Sequence, residues 1–279
     1  FSRKRILSLS LVGIMVFSAI GLTGNLSEGF PERYGKAPFS GDVEHTAFHE
    51  YLDKHYFDCE LPKPYTWNRD RCKQSKTGSP DWILLGDSHA KHYFIGLANA
   101  LSDINLAYYI NWDTPYFLNS SFKEIFDVLE QSKSSKTILL TMHYVKRIND
   151  VAEFQDGFSS TISYLKSKGH RVILLGDVPR YPTEAQDCLY GSTKERVSKY
   201  CSVSVYDYEI QRNVYQSTLR SLAVRFDVPF VITDGPLCTD VRCSMVKGDT
   251  LLYRDNSHLN IPGSILVGNS LARKLLKYK

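Results

Sequence analysis

From residue 81 onward, short apolar runs alternate with longer amphipathic segments, and this pattern restricts the fold more than any other feature. The apolar runs have the length of buried strands and cover residues 82–87, 105–110, 136–142, 170–177 and 228–233. The amphipathic segments have the length of helices and lie near residues 89–102, 121–132, 150–168, 206–226 and 261–277. Such alternation is typical of a mainly parallel sheet covered by helices. We therefore predict one α/β domain over residues 81–279, with a doubly wound parallel sheet of about five strands.

The N-terminal segment has a different character. Residues 6–24 contain no charged side chain and follow the basic residues Arg3, Lys4 and Arg5. A bilayer is crossed by roughly 20 apolar residues, and basic residues favour the cytoplasmic side. We therefore predict a transmembrane helix over residues 1–24, with everything after it outside the cytoplasm. A signal peptide cleaved near "FSAIG" is the alternative, whereas a buried core helix fits poorly because the run is apolar all round.

The first residue and the cysteines both bear on whether the domain lies outside the cytoplasm behind a membrane segment. The chain begins at Phe1 rather than Met, which suggests a fragment whose apolar helix is the last span of a larger membrane domain. Six cysteines form three sequence-local pairs, Cys59 with Cys72, Cys188 with Cys201, and Cys238 with Cys243. Six cysteines allow 15 connectivities, of which local pairing is the simplest. An even number beyond a membrane segment favours disulfides in an oxidising compartment over reduced thiols.

Three further segments complete the domain organisation. Residues 25–80 are expected to form a linker and extension, with a linker-like stretch at 27–41 and a short helix within 44–59. Residues 180–205 form a polar insertion that a Cys188–Cys201 bridge would restrain. The array of His45, His49, His55 and Cys59 permits a zinc site, but Cys59 has a local cysteine partner and the histidines suit an exposed helix. We expect no metal.

Charge and motif content exclude several functions. The net charge is +4 with acids and bases mixed along the chain, and there is no basic block with interleaved aromatic residues. Nucleic acid is therefore not expected as a partner. Neither a G-x-G-x-x-G loop nor a Walker motif occurs, so no nucleotide cofactor is expected.

Ser88 is the first candidate catalytic residue. It lies in "WILLGDSHAKHYF", residues 82–94, directly after a predicted strand and at the start of a predicted helix. Ligands bind beyond the carboxyl ends of strands in doubly wound sheets, and a helix N-terminus offers N–H donors to an oxyanion. Serine is also a preferred helix N-cap, so "GDS" alone does not distinguish a nucleophile from a cap.

A serine nucleophile needs a base, and the base needs an orienting acid. Asp255 and His258 are three residues apart in "LLYRDNSHLNIPGS", residues 251–264, just before the final predicted helix. This spacing lets one turn carry both side chains into a single cleft, with His258 as the base and Asp255 holding its ring. The alternative is that Asp255 and Asn256 form a turn and that His258 is a surface or capping residue.

The two motifs together resemble the SGNH/GDSL hydrolase superfamily over roughly residues 81–279. "GDSH" follows the first strand and "DNSHLN" precedes the last helix. The C-x4-C pair in "PLCTDVRCSMVKGDTLLYRDNSHLN" and the preceding apolar helix resemble more narrowly the SGNH domains fused to membrane acyltransferase-3 domains. The resemblance implies an SGNH-type, flavodoxin-like sheet. It also implies that Ser88 is the nucleophile, His258 the general base and Asp255 its partner.

The resemblance implies a function as well. Such enzymes O-acylate surface polysaccharides such as lipopolysaccharide O-antigen, and acetyl is the acyl group we expect. The expected location is the periplasm, tethered to the inner membrane, with the acyl donor delivered by an associated or fused membrane domain and a polysaccharide as acceptor. No cofactor is implied. An esterase of the same fold and a non-catalytic glycan-binding module remain the alternatives.

The oxyanion hole is where the chain departs from the superfamily pattern. No asparagine occurs in "LLTMHYVKR", residues 139–147, where the third block normally supplies one, and "NWDTPYF" lacks the glycine of the second block. The Ser88 backbone N–H is therefore the first candidate donor. Asn111, Thr141 and His143 are the candidates for the rest of the hole.

Overall fold

A computed structural model of the protein describes residues 2–27, 29–30, 43–59, 71–189 and 199–279. The α-helices whose full extent lies within these residues, in chain order, are α1 (Arg3–Leu26), α2 (His45–His55), α3 (Ser88–Lys91), α4 (Phe94–Ala100), α5 (Lys123–Glu130), α6 (Tyr144–Arg147), α7 (Val151–Ser167), α8 (Ala185–Leu189), α9 (Val205–Phe226) and α10 (Ile261–Leu275). The predicted linker stretch at 27–41 lies almost entirely outside the described residues, as does the centre of the 180–205 insertion.

Seven strands form the main sheet. The strands of the described residues are β1 (Phe57–Asp58), β2 (Cys72–Gln74), β3 (Trp82–Gly86), β4 (Leu106–Ile110), β5 (Thr137–Leu140), β6 (Arg171–Leu175), β7 (Ser202–Ser204), β8 (Phe230–Val231), β9 (Arg242–Ser244), β10 (Val246–Lys247) and β11 (Thr250–Leu251). The main sheet has the order β1-β2-β4-β3-β5-β6-β8. Its strands β4, β3, β5, β6 and β8 are parallel, in the order of flavodoxin-like sheets. The α/β doubly wound prediction is confirmed.

The predicted count of about five strands is wrong, because two short antiparallel strands extend one edge of the sheet. Strand β2 pairs with β4, and β1 pairs with β2. A disulfide joins Cys59 to Cys72 beside this pairing, and Lys73 Nζ lies 2.8 Å from the Asp58 carboxylate. Part of the 25–80 extension therefore belongs to the sheet.

The strands bury both faces, which explains their continuous apolar runs. Side chains at alternate positions point to opposite faces, so Leu84 and Tyr108 pack on one side while Ile83 and Tyr109 pack on the other. Helices α2, α4 and α10 cover the first face. Helices α5 and α7 and most of the buried residues of α9 cover the second.

The helix predicted over residues 89–102 is divided in two. Helix α3 ends at Lys91 and α4 begins at Phe94. The Tyr93 N–H donates to the carbonyl of Ala90, three residues earlier, at 3.3 Å, so the chain tightens between the helices. Helices α4 and α10 then cross closely, since a Cβ atom at Gly268 would lie 2.2 Å from the backbone of Gly96.

Helix α1 is the one helix in the described residues that is long and apolar enough to cross a membrane. None of its residues is buried against the rest of the protein. The helix is consistent with membrane tethering. Three disulfides occur in the structure, joining Cys59 to Cys72, Cys188 to Cys201, and Cys238 to Cys243.

Candidate active site

Ser88 lies at the point where the strand order of the sheet reverses. Strand β3 leads to β4 on one side, while β5 lies on its other side, and ligands of doubly wound folds bind at such switch points. A Cβ atom at Gly86 would lie 1.8 Å from the Thr141 carbonyl oxygen, so only glycine permits this approach of β3 to the end of β5. Ser88 then opens α3, and its backbone N–H has no acceptor within that helix.

The Asp255 and His258 side chains meet Ser88 from the segment before α10. His258 Nε2 lies 2.8 Å from Ser88 Oγ, and His258 Nδ1 lies 2.7 Å from Asp255 Oδ2. The other oxygen of Asp255 accepts the backbone N–H groups of Ser257 and His258, each at 2.7 Å. The D-x-x-H turn thus fixes the imidazole between the acid and the serine hydroxyl.

The electrostatics of Asp255 favour a carboxylate. Burial raises the pKa of Asp255, but the hydrogen bond and charge of His258 and the two N–H donors outweigh burial and hold the pKa well below its usual range. Asp255 therefore stays ionised at neutral pH. A carboxylate that accepts the Nδ1–H of histidine leaves Nε2 free to accept a proton.

Asp87 organises the loops around Ser88. Its Oδ1 accepts the backbone N–H of His89 at 2.9 Å and thereby caps α3. The same carboxylate accepts the backbone N–H of His143 at 3.1 Å and contacts Arg147 Nε at 3.3 Å. The fully buried acid of "GDSH" thus ties the end of β3 to the segment after β5.

A second histidine–aspartate pair lies beneath Ser88. His89 Nδ1 is 2.7 Å from Asp177 Oδ1, and both side chains are buried. Burial raises the pKa of Asp177 to about 7 and lowers the pKa of His89 well below its ordinary value, with the charge of His258 adding to the effect on His89. The ring of His143 stacks on His89 at 3.9 Å. The sequence "LLGD" occurs at residues 84–87 and 174–177, across the ends of β3 and β6, and this repeat is a sequence signal for Asp177.

The same region contains the one group of potential metal ligands among the described residues. His89, His92 and Asp177 bring ligand atoms within 4.8 Å of one another. The His89–Asp177 contact has the length of a hydrogen bond, and none of the three residues lines the cavity described below. Burial, with the nearby His89, holds the pKa of His92 well below its ordinary value, so its ring is neutral. The sequence also permitted a zinc site formed by three histidines and Cys59, but Cys59 forms a disulfide with Cys72 and offers no thiolate.

The candidate oxyanion residues occupy different environments. Thr141 is fully buried, donates to the Gly176 carbonyl at 3.3 Å and does not line the cavity. Asn111 lines the cavity, but its amide donates to the Ser121 carbonyl and its oxygen accepts the Trp112 N–H. His143 also lines the cavity.

His143 has the properties of a neutral hydrogen-bond donor. Burial, together with the charge of His89, lowers the pKa of His143 to about 3, so one ring nitrogen carries a proton at neutral pH. The Nε2 atom is buried and has no hydrogen-bond partner among the described residues. His143 lies within residues 139–147, the segment in which the superfamily pattern has an asparagine.

Helix α2 supplies side chains that the sequence did not connect to the site. His45 Nε2 lies 3.4 Å from Asp255 Oδ2. Phe48 is buried, and its ring lies 4.1 Å from the guanidinium of Arg254. No short motif links α2 to residues some 200 positions later, so only the fold reveals these contacts.

A cavity of about 200 Å³ opens above Ser88 and His258. Asn111, Trp112 and His143 contribute to its wall, along with five basic residues. A larger cavity of about 360 Å³ lies between Ser79 and Lys136, at the amino ends of β3 and β5. That cavity contains none of the predicted site residues and lies at the edge of the sheet where doubly wound folds do not bind their ligands.

A flavodoxin-like sheet with a serine after its first parallel strand and a D-x-x-H motif near the C-terminus is characteristic of SGNH hydrolase folds. Members of this class act on acyl groups. Within that class, the chain belongs to the family of SGNH domains fused to AT3 domains, whose family model matches residues 58–273. No curated protein matches the chain.

Three solved structures that are similar to this chain are distant from it in sequence. The periplasmic domain of a lipopolysaccharide acetyltransferase of Salmonella ser. Paratyphi A is 20% identical, with a TM-score of 0.56 over 72% of this chain and 85% of that one. A putative SGNH hydrolase from Slackia heliotrinireducens is 14% identical, with a TM-score of 0.49 over 71% of this chain and 100% of that one. Est24, a carbohydrate acetylesterase from Sinorhizobium meliloti, is 13% identical, with a TM-score of 0.45 over 71% of this chain and 99% of that one.

Proposed function

We propose that this chain is the periplasmic part of an inner-membrane O-acyltransferase that transfers acetyl groups to sugar hydroxyls of a bacterial surface polysaccharide, such as lipopolysaccharide O-antigen. The observation that carries the proposal is the chain of contacts from Ser88 Oγ to His258 Nε2 at 2.8 Å and from His258 Nδ1 to Asp255 at 2.7 Å. Membership of a family fused to AT3 domains supports transfer rather than hydrolysis.

In the first half-reaction, Ser88 acquires the acyl group. Ser88 Oγ attacks the carbonyl carbon of the donor while His258 Nε2 accepts the hydroxyl proton. The bond from the carbonyl carbon to the donor oxygen or sulfur then breaks, and His258 returns the proton to that leaving atom. Asp255 accepts the Nδ1–H bond throughout and stabilises the imidazolium.

In the second half-reaction, the sugar hydroxyl replaces the leaving group. His258 Nε2 accepts its proton as the sugar oxygen attacks the acyl-serine carbonyl. The ester bond to Ser88 breaks, and the proton passes from His258 to Ser88 Oγ. The product is an O-acylated sugar and the regenerated enzyme, with no cofactor consumed.

The negative charge on the carbonyl oxygen needs donors in both half-reactions. We assign this role to the Ser88 backbone N–H and to the ring of His143. The neutral state of His143, which burial and His89 enforce, supports the assignment because a neutral imidazole keeps one N–H donor.

Membership of a family whose SGNH domains are fused to AT3 domains supports a membrane location. The AT3 domain would deliver the acyl group, and residues 1–24 would hold residues 81–279 at the outer face of the inner membrane through the 25–80 extension. Donor and acceptor would then meet at the cavity above Ser88.

Transfer and hydrolysis differ only in the acceptor, so a partition experiment tests the proposal. The purified chain in detergent is incubated with phenyl acetate and a saturating oligosaccharide acceptor, and acetylated sugar and free acetate are measured. We expect acetylated sugar in wild type and neither product above background in Ser88→Ala. Acetate alone at saturating acceptor would identify an esterase, and unchanged turnover in Ser88→Ala would contradict the mechanism.

A further inference from the structure

The cavity above Ser88 has a strong excess of positive charge. Its basic lining residues come from four separate segments and are Arg71, Lys91, Lys146, Arg147 and Arg254. Asp87 is the one acid among the described residues that line it. The Asp87 carboxylate already accepts two backbone N–H groups and contacts Arg147 Nε at 3.3 Å. The described lining of the cavity therefore contains five basic side chains and one carboxylate.

Arg254 is a fixed cation within this wall. Its side chain is 5% exposed, its Nη1 donates to the Leu259 carbonyl at 3.0 Å, and its guanidinium lies over the Phe48 ring. Its Nε atom is buried without a hydrogen-bond partner among the described residues. A buried cation is costly unless an anion compensates it. The carboxylate of Asp255, the next residue in the chain, offsets part of this charge. A negatively charged ligand in the cavity would offset more of it.

Trp112 adds an aromatic surface to the cavity. It lines the same cavity, yet 67% of its surface is exposed. Its aromatic ring is therefore accessible to a ligand in the cavity. Its flat indole face suits the C–H face of a sugar ring.

We propose that the acceptor is an anionic glycan, whose sugar packs on Trp112 while its carboxylate or phosphate is bound by the basic residues, chiefly Arg71 and Lys146. This inference rests on the proposed function and narrows its substrate class. The anionic group takes no part in the reaction and serves to hold a neighbouring hydroxyl between Ser88 and His258.

Binding to the Ser88→Ala variant tests the inference without any need for turnover. The probes are a disaccharide of glucuronate and glucose, its carboxyl-reduced counterpart, and a hexose phosphate with its parent hexose, titrated by calorimetry in detergent. We expect at least one anionic sugar to bind about tenfold more tightly than its neutral counterpart, which corresponds to about 1.4 kcal/mol. The preference should shrink at high salt, which screens exposed charges.

Variants that remove single positive charges show which residues produce the preference for the anionic sugar. In the Ser88→Ala background, Lys146→Gln and Arg71→Gln should each reduce the preference for the anionic sugar severalfold. The matched variants Lys277→Gln and Arg273→Gln, on the exposed surface near the C-terminus, should keep it. Equal affinity for both members of both sugar pairs would overturn the inference, as would a preference that survives Lys146→Gln and Arg71→Gln together.

The acyl donor, rather than the acceptor, could carry the anionic group that the basic residues bind. A separate experiment tests this alternative. Ser88 acetylation of the wild-type chain is timed with neutral phenyl acetate and with anionic 4-acetoxybenzoate. We expect the two rates to agree within about twofold after correction for intrinsic ester reactivity. A faster reaction with the anionic ester that Lys146→Gln abolishes would assign the charge to the donor and contradict the acceptor assignment. Absence of Ser88-dependent turnover would instead refute the proposed function and leave the binding result to decide the inference.

Discussion

His143 is the residue on which the proposed oxyanion site depends most. Its backbone N–H is held by Asp87 at 3.1 Å, and its ring is held by stacking on His89 at 3.9 Å. Burial and the charge of His89 lower its pKa to about 3, so the ring is neutral across the range in which the enzyme would work. The donor would therefore be fixed in position and independent of pH.

We predict that His143→Ala lowers the rate of Ser88 acylation about 10²–10³-fold with little change in KM, because the lost donor acts only on the developing charge. His143→Gln should recover part of the rate, since an amide also donates. The measurement is the burst of phenol from phenyl acetate, with exposed His55→Ala as the control. A loss below about threefold in His143→Ala would remove His143 from the oxyanion site.

Ser88, Asp255 and His258, which the structure brings into contact, were predictable from the sequence because two short motifs contain them. "GDSH" and "DNSHLN" each place their candidate side chains within four positions of one another. Sequence reasoning did not reach Asp177 or Arg254, whose partners lie 88 and some 200 positions away in the chain. Such contacts depend on how elements pack, and no local spacing encodes them.

Helix α2 is the element whose contribution to the site was least expected. The family model begins at residue 58, so α2 precedes the matched region. Nevertheless, its Phe48 packs in the main core and beneath Arg254, next to Asp255. The segment between α1 and the sheet therefore supports the candidate active site.

We predict that Phe48→Ala lowers the free energy of unfolding by about 3 kcal/mol, because a buried aromatic side chain is removed from the core. Acyl transfer should fall as well, since Arg254 loses the surface that holds it beside Asp255. Urea unfolding and the partition assay measure the two effects, and Glu50→Ala on the exposed face of α2 is the matched control. A change in stability below about 1 kcal/mol would show that α2 does not support the site.

At the scale of elements, the five parallel strands were predictable because each is a continuous apolar run. The edge strands β1 and β2 span only two and three residues and include Asp58, Lys73 and Gln74, so hydropathy gave no sign of them. The division of the 89–102 helix was equally hidden, because a one-turn change of hydrogen bonding does not alter the amphipathic pattern.

Across the whole molecule, the buried titratable groups should make stability depend on pH. The pKa values of His89, His92 and His143 are lowered by burial, so below about pH 6.5 the unfolded chain binds protons that the folded chain does not. Their contribution is present above pH 6.5 and is lost as the pH falls. Asp177 acts in the opposite sense, because burial raises its folded pKa to about 7 and its stabilising effect grows as the pH falls from 7 towards 4.

We predict that the three histidines change the free energy of unfolding more than Asp177 does, so that stability falls as the pH is lowered. Between pH 7.5 and 5.5 each histidine lowers the free energy of unfolding by about 1.4 kcal/mol, whereas Asp177 raises it by about 2 kcal/mol. The free energy of unfolding should therefore be about 2 kcal/mol lower at pH 5.5 than at pH 7.5. His92→Leu should make this loss smaller, and Asp177→Asn should make it larger. Urea unfolding in detergent at both pH values is the measurement, and equal or greater stability at pH 5.5 would contradict the assignment of neutral buried histidines.

The proposed mechanism requires that acyl groups pass through Ser88. The most direct test is to mix the full chain with phenyl acetate, quench with acid within the first turnover, and map acetylated peptides by mass spectrometry. We predict one acetyl group on the peptide that contains Ser88 in wild type, its disappearance when acceptor oligosaccharide is added, and no label on that peptide in Ser88→Ala. An unlabelled Ser88 peptide in a chain that still transfers acetyl to the acceptor would contradict the proposed mechanism.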